Sequence, residues 1–287
     1  MASSRGICSL LIASVSFGSA ALFIRFATET SAISLTFYRL SIAALVMILF
    51  SVSTRSLKLA GKTELTLMAV CGVVLSLHFA TYILAVQKTT VANATFLVNT
   101  SPAMLAILSP LVIRERTTSR EIVGVMLATL GVLLVAHAGN GFRDFGLADL
   151  SALAAAFLLS LYSLIGRQLR TGGVSTGSYT SYVYSVAALA SLLVVWSVRA
   201  QASGPYDTQN VLAILGLALV PTVFGHSLYN YALGSVKTVT ANLFPLLEPI
   251  IASLFAIWLF NEIPSSIQVI GYVLILSSVV VVVTKLE

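Results

Sequence analysis

Glu248 stands in "NLFPLLEPIIASLFAIWLFNE" (242–262), an otherwise apolar run, with Pro245 before it and Pro249 directly after. A carboxylate held away from water is a functional-site candidate by default. It can receive an ammonium, carry a proton, or pair with a buried cation, and Arg39 is the other charged residue well inside an apolar run. The two prolines remove backbone hydrogen bonds and open the helix locally, leaving carbonyls for a ligand or water. Two polar sets accompany them. His78, Thr81 and Tyr82 are spaced i, i+3, i+4, and His226, Tyr229 and Asn230 repeat that spacing, so each set lines one helical face. Such faces either wall a cavity or hydrogen-bond helices to one another, and a histidine adds proton exchange. Tyr38, Tyr82, Tyr162 and Tyr229 are amphipathic rings suited to stacking on an apolar or aromatic side chain. Asn99, which opens "NTSPAM", completes the candidate set.

Catalytic chemistry has no comparable signature. The chain holds no His-Glu-x-x-His pair, no acidic metal cluster and no P-loop, which argues against an enzyme and against a nucleotide-driven pump. Neither a cofactor nor a metal is expected. Cys8 and Cys71, the two cysteines, each fall within an apolar run and read as packing residues.

The elements that must position these residues follow from composition. Of 287 residues 58% are hydrophobic and 9% charged, against roughly 25% charged in an ordinary soluble protein. Apolar runs of about 20 residues, the length that crosses a bilayer, fall near 6–24, 33–53, 65–86, 92–113, 119–137, 147–166, 177–198, 210–233, 239–260 and 265–284. The expected fold is therefore all-α and integral to the membrane, with ten transmembrane helices. The connections are too short for a soluble domain, the longest lying around 199–209. The first run lacks a clear small-residue cleavage site and reads as the first helix, not a signal peptide. Trp196 and Trp258 fit an interfacial belt, and His137 an interfacial position.

Lysine and arginine counts set the orientation. With a cytoplasmic N-terminus, Arg5, Arg55, Lys58, Lys62, Arg114, Arg116, Arg120, Arg167, Arg170, Lys237 and Lys285 lie inside, and only Arg25, Lys88, Arg143 and Arg199 outside. Both termini are thus expected in the cytoplasm of a cell (inner or plasma) membrane. The formal charge of +6 reflects this topology. The basic residues form no continuous patch, so no nucleic-acid partner is expected.

The chain also repeats itself. "YILAVQKTTVAN" (82–93) matches "YALGSVKTVTAN" (231–242) at Tyr, Leu, Lys, Thr, Ala and Asn, and Pro102, Glu115 and Gly124 correspond to Pro249, Glu262 and Gly271. An odd number of spans per copy inverts the second copy, giving two five-helix repeats, 1–138 and 139–287, in the manner of secondary transporters. Glu248 falls opposite Ser101, so the repeated scaffold carries a chemically one-sided site. The small-residue face Gly124, Ala128, Gly131, mirrored by Gly271 and Ser278, reads as close helix packing, with a homodimer through it as an alternative to a monomer.

"SFGSAALFIRFA" (16–27), "LTFYRLSIAALVMI" (35–48), "NTSPAMLAILSPLVIRERTT" (99–118), "AFLLSLYSLIGRQL" (156–169) and "FPLLEPIIASLFAIWLFNEIPS" (244–265) occur in order along the chain. In these it resembles the EamA-type members of the drug/metabolite transporter superfamily, most nearly the YddG-type exporters of aromatic and other amino acids. It departs from them at Phe17-Gly18, where tryptophan-glycine is frequent, and at Ser160, where an aromatic is. The resemblance implies export of small amphipathic metabolites, foremost amino acids including aromatic ones, by alternating access. The alternative is a multidrug/proton antiporter for lipophilic cations. The expected partners are a small-molecule substrate and the lipid bilayer.

Overall fold

The computed structural model describes residues 4–58, 60–138, 146–197, 207–260 and 263–284, excepting a few side chains between 252 and 260. The structure is helical, with no strand among the described residues. In chain order the elements are α1 (Ser4–Phe26), α2 (Ala32–Ser53), α3 (Lys62–Lys88), α4 (Val91–Val112), α5 (Ser119–Ala138), α6 (Leu147–Thr171), α7 (Thr176–Ser197), α8 (Thr208–Ala232), α9 (Thr238–Leu243 continuing to Glu248–Phe260) and α10 (Ser266–Val283). Nine of these, among the described residues, are long and apolar enough to cross a membrane. Residues 198–206 of the longest connection, Arg143, Lys285, Glu262 and the Trp258 side chain lie outside the described residues, Arg199 among them.

The opening expected at the prolines of the run 239–260 is present: a 3-10 turn at Pro245–Leu247 divides it, because a proline ring has no N–H to give and clashes with the preceding turn. Three other spans are irregular. α1 turns at Gly18 and Ser19, α4 turns at Asn99 and Thr100, and α8 becomes a π-helix over Ala218–His226, which contains Pro221.

Hydrogen bonds define two ends. At one, Ser175 Oγ donates to Ser56 O at 2.7 Å and Lys237 Nζ to Arg116 O at 3.0 Å. The connections after α2, α4, α6 and α8 meet there, with Arg55, Lys58, Arg114, Arg116, Arg170 and Lys237 around them; we call it the basic end. At the opposite end Arg25 Nη2 donates to Thr89 O at 3.2 Å, and Gln209 Nε2 to Phe26 O at 3.2 Å.

Large apolar side chains such as Leu45, Leu49, Leu111, Leu193 and Val273 face outward, where a bilayer, unlike water, exacts no penalty. Inward faces carry small and polar groups. α3 packs on α6 and α7, α2 on α7, and α1 on α8. α5 and α10 run antiparallel in close contact: a Cβ on Gly131 would lie 2.7 Å from the Gly271 carbonyl, and one on Gly271 2.7 Å from that of Gly131. Gly124 likewise meets Ser278 and Val282. The small-residue face is thus engaged in close packing within the chain, the first of the two readings above.

Candidate functional site

The irregular segments converge on one void. Its wall takes Phe17 and Ala20 from α1, Arg39 from α2, His78, Phe79 and Tyr82 from α3, Val98 and Asn99 from α4, and Leu159 from α6. α8 adds His226 and Tyr229, and α9 adds Asn242, Pro245 and Glu248. The void measures ≈ 60 Å³. Its position follows from the breaks: an unbroken helix would present only side chains here, whereas a turn also brings backbone and the start of a new helix.

Glu248 opens the second part of α9, in its first turn, where the unpaired N–H groups of a helix start favour negative charge. Its side chain accepts the Tyr82 hydroxyl at 3.3 Å and is 8% exposed. Arg39, 2% exposed, is not its ion-pair partner, contrary to one of the alternatives above; the ion pairs among the described residues are elsewhere. Arg39 Nε instead donates to Thr222 Oγ1 in the π segment, and its guanidinium carbon sits 3.6 Å from the Phe79 ring centroid. That is a cation–π contact of the desolvated kind.

The histidines differ. His78 Nδ1 lies 2.8 Å from the Ala155 carbonyl, tying α3 to α6, and its ring is near-parallel to Tyr82 at 6.2 Å. His226 is packed edge-on against Phe17 and Phe79, each at 4.9 Å. Tyr229 shares its hydroxyl with Ser163 at 2.7 Å and receives Asn242 Nδ2. Several buried polar atoms on the wall have no partner: Arg39 Nη1, Asn99 Nδ2, His226 Nδ1 and Asn242 Oδ1. Buried polar groups are almost always satisfied, so a cluster of such atoms around one void marks a place for water or a polar ligand.

Of the residues singled out from sequence, His78, Tyr82, Asn99, His226, Tyr229 and Glu248 line the void. Tyr162 and Asn230 stand behind it, Asn230 Nδ2 donating to the Tyr162 hydroxyl. Tyr38 is partly buried in the surrounding core and off the wall. Of the eight wall residues that were not among the candidates, four are polar or aromatic: Arg39, noted only as a pairing partner, with Phe17, Phe79 and Asn242. Asn242 had a signal, since it closes the duplicated segment, and Phe17 stood out as a departure from the family pattern; Phe79 had none in an apolar run. Among the described residues no cluster of metal-binding side chains occurs.

The breaks are propped reciprocally. Ser14 Oγ of α1 shares its proton between Leu10 O and Phe244 O in the α9 break, each at 2.8 Å, and Ser160 Oγ of α6 between Ala156 O at 2.9 Å and Ser101 O at 3.3 Å beside the α4 break. Access is unequal. A recess of ≈ 340 Å³ on the opposite-end side also includes Glu248, with Phe96, Val135, Pro249, Ile263 and Tyr272. At the basic end a recess of ≈ 320 Å³, lined by Ile113, Glu115, Arg167 and Thr171, shares no residue with the void. Glu115 pairs with Arg167 at 2.9 Å and accepts both Thr238 N and Thr238 Oγ1 at 2.8 Å, while Arg167 Nη1 donates to Leu233 O at 2.6 Å. Lys237 and Glu121 add a second pair at 3.7 Å.

The sequence profile of the EamA-like transporter family matches residues 4–137 and 146–284. The chain belongs to this family. An "Uncharacterized transporter" of Archaeoglobus fulgidus is 24% identical over 267 residues, 90% of this chain and 89% of that one. A "Probable amino-acid metabolite efflux pump" of Salmonella typhimurium is 26% identical over 226 residues, 75% and 76% of the two chains. A solved crystal structure, 18% identical, superposes with a TM-score of 0.81 over 98% of this chain and 97% of its own; the fold is shared. This EamA-like chain is accordingly a multi-pass membrane protein, and its family and relatives are named as transporters, not enzymes.

Proposed function

We propose that the protein is a secondary transporter that exports small amphipathic metabolites, foremost amino acids including aromatic ones, by alternating access through the central void. The observation that carries this reading is the void itself, a carboxylate and unpaired polar atoms among aromatic walls, with a recess on one side that shares Glu248 and, on the other, ion pairs beside a recess that shares none of its residues. The name of the Salmonella relative supports the amino-acid class.

The inverted-repeat arrangement is part of the proposal. The two profile matches fall on either side of the expected boundary at 138, α5 and α10 are antiparallel, and the two serine props are exchanged between halves. By the positive-inside rule the basic end is cytoplasmic, as are both termini, so this conformation faces away from the cytoplasm. Two similar halves that swap conformations would open the void to the other side.

The test is transport by the purified protein in liposomes, with and without a pH gradient, across a panel of amino acids and tetraphenylphosphonium. Saturable exchange of amino acids is expected. Movement of the lipophilic cation alone would replace this reading with multidrug antiport.

A further inference from the structure

Arg39 carries charge into the wall of the void without an anionic partner. Its Nε is engaged by Thr222 and its face by Phe79, which fixes the guanidinium, yet Nη1 is buried and donates to nothing. Asn99 Nδ2, a second buried donor on the same wall, is also unused. Glu248, on α9, has only the Tyr82 hydroxyl as a hydrogen-bond partner among the described residues. The void thus offers an anion and, separately, a held cation with a neighbouring donor.

We propose that Arg39, with Asn99, anchors the carboxylate of a zwitterionic substrate whose ammonium goes to Glu248. This rests on the amino-acid reading above and narrows it to molecules that carry both charges. Three physical points favour it. A guanidinium presents its donors in a rigid fork matched to a carboxylate, and prior engagement of Nε pre-organises the remaining edge. A lone lipophilic cation would meet Glu248 favourably but Arg39 repulsively, whereas a zwitterion satisfies both. The dimensions agree as well. At ≈ 60 Å³ the void holds about four waters, the scale of an ammonium and a carboxylate on one carbon. The adjoining ≈ 340 Å³ recess, which shares Glu248 and is walled by Phe96, Val135 and Tyr272, then receives the side chain.

A structural role for Arg39 would predict equal loss of every ligand on substitution, so the test separates ligands by charge. Purified full-length protein is assayed for binding of labelled L-phenylalanine, with phenethylamine (no carboxylate) and 3-phenylpropionate (no ammonium) as competitors. The wild type should bind either analogue about tenfold or more weakly than phenylalanine. In Arg39→Met, phenylalanine should weaken by about tenfold or more while phenethylamine, read by its own thermal-shift titration, stays within about threefold. Arg39→Lys should fall between, because the charge remains and the fork is lost.

If the Arg39 variants fail to fold, the wild-type analogue series decides alone. Equal binding of phenylalanine and phenethylamine would overturn the carboxylate anchor and leave the amino-acid reading standing. A folded wild type that moves tetraphenylphosphonium but binds none of twenty amino acids would overturn both.

Discussion

The breaks in α4 and α9 occupy equivalent places in the two halves of the sequence, yet they are built differently. In α4 the turn is made by Asn99 and Thr100, with Thr100 Oγ1 capping Leu97 O at 2.7 Å, and Pro102 follows in the next turn. In α9 it is made by Pro245, with Leu247 N donating to Phe244 O at 2.9 Å, and Pro249 follows. The residue at the start of the new helix is Ser101 in one and Glu248 in the other. The shared feature is a helix start aimed at the interior; the difference is that only α9 puts a charge on it. A scaffold can therefore stay nearly symmetric for conformational exchange while its binding chemistry is asymmetric.

The largest expected effect comes from erasing that difference. Glu248→Gln keeps size and most hydrogen bonding but removes the charge, and substrate affinity in liposome exchange should fall about ten- to a hundredfold, as a charge-assisted bond becomes neutral. Ser101→Ala, the matching change in α4, should leave affinity within about threefold. If Glu248 instead carries a coupling proton, gradient-driven accumulation by Glu248→Gln would vanish while exchange persisted at normal affinity. Equal losses from both substitutions would show that the asymmetry has no bearing on binding.

Next in size is the break itself. Pro245→Ala restores an N–H at the turn and lets α9 approach continuous helix. Turnover should drop several-fold with affinity little changed, measured as Vmax against KM in the same liposomes. A loss confined to KM would mean that the turn shapes the site without taking part in motion.

Smaller still are the props. Ser14→Ala and Ser160→Ala each leave one carbonyl at a break without its side-chain partner, at a cost of about 1 kcal/mol, and thermal unfolding in detergent should register both. The Ser14 change should be the greater, because its bond is the shorter of the two. Indifference to both would mean that the breaks are held by packing alone.

Most of the fold was legible in the sequence because a span announces itself by length and apolarity. The α9 break was legible through Pro245 and Pro249, and the close packing of α5 through Gly124 and Gly131. The π segment of α8 was not. Pro221 lay in an ordinary apolar run, and Tyr229 and Asn230, in the α-helical turn that follows the π segment, diverge by about 100° as neighbours on any α-helix do. Tyr229 reaches the void while Asn230 turns behind it to Tyr162. Arg39 was visible as a charge, but spacing along one helix cannot say which side chain of another it meets. Phe79 and Thr222 took the place assigned to Glu248. Ser160 appeared as a departure from the family pattern and is the group that props the α4 break.

The central claim, one void reached from one side at a time, is tested most directly by labelling a single cysteine from each side of the membrane. Val98 lines the void and is 6% exposed, and Val98→Cys can be placed in a chain whose Cys8 and Cys71 are replaced by serine. A membrane-impermeant thiol reagent should modify it faster from the side of the opposite end than from the basic end. Saturating L-phenylalanine should change the ratio of the two rates. Adding Glu115→Gln, which weakens the closure at the basic end, should raise labelling from that side. Equal rates from both sides, unaltered by substrate and by Glu115→Gln, would describe a fixed pore and contradict the account.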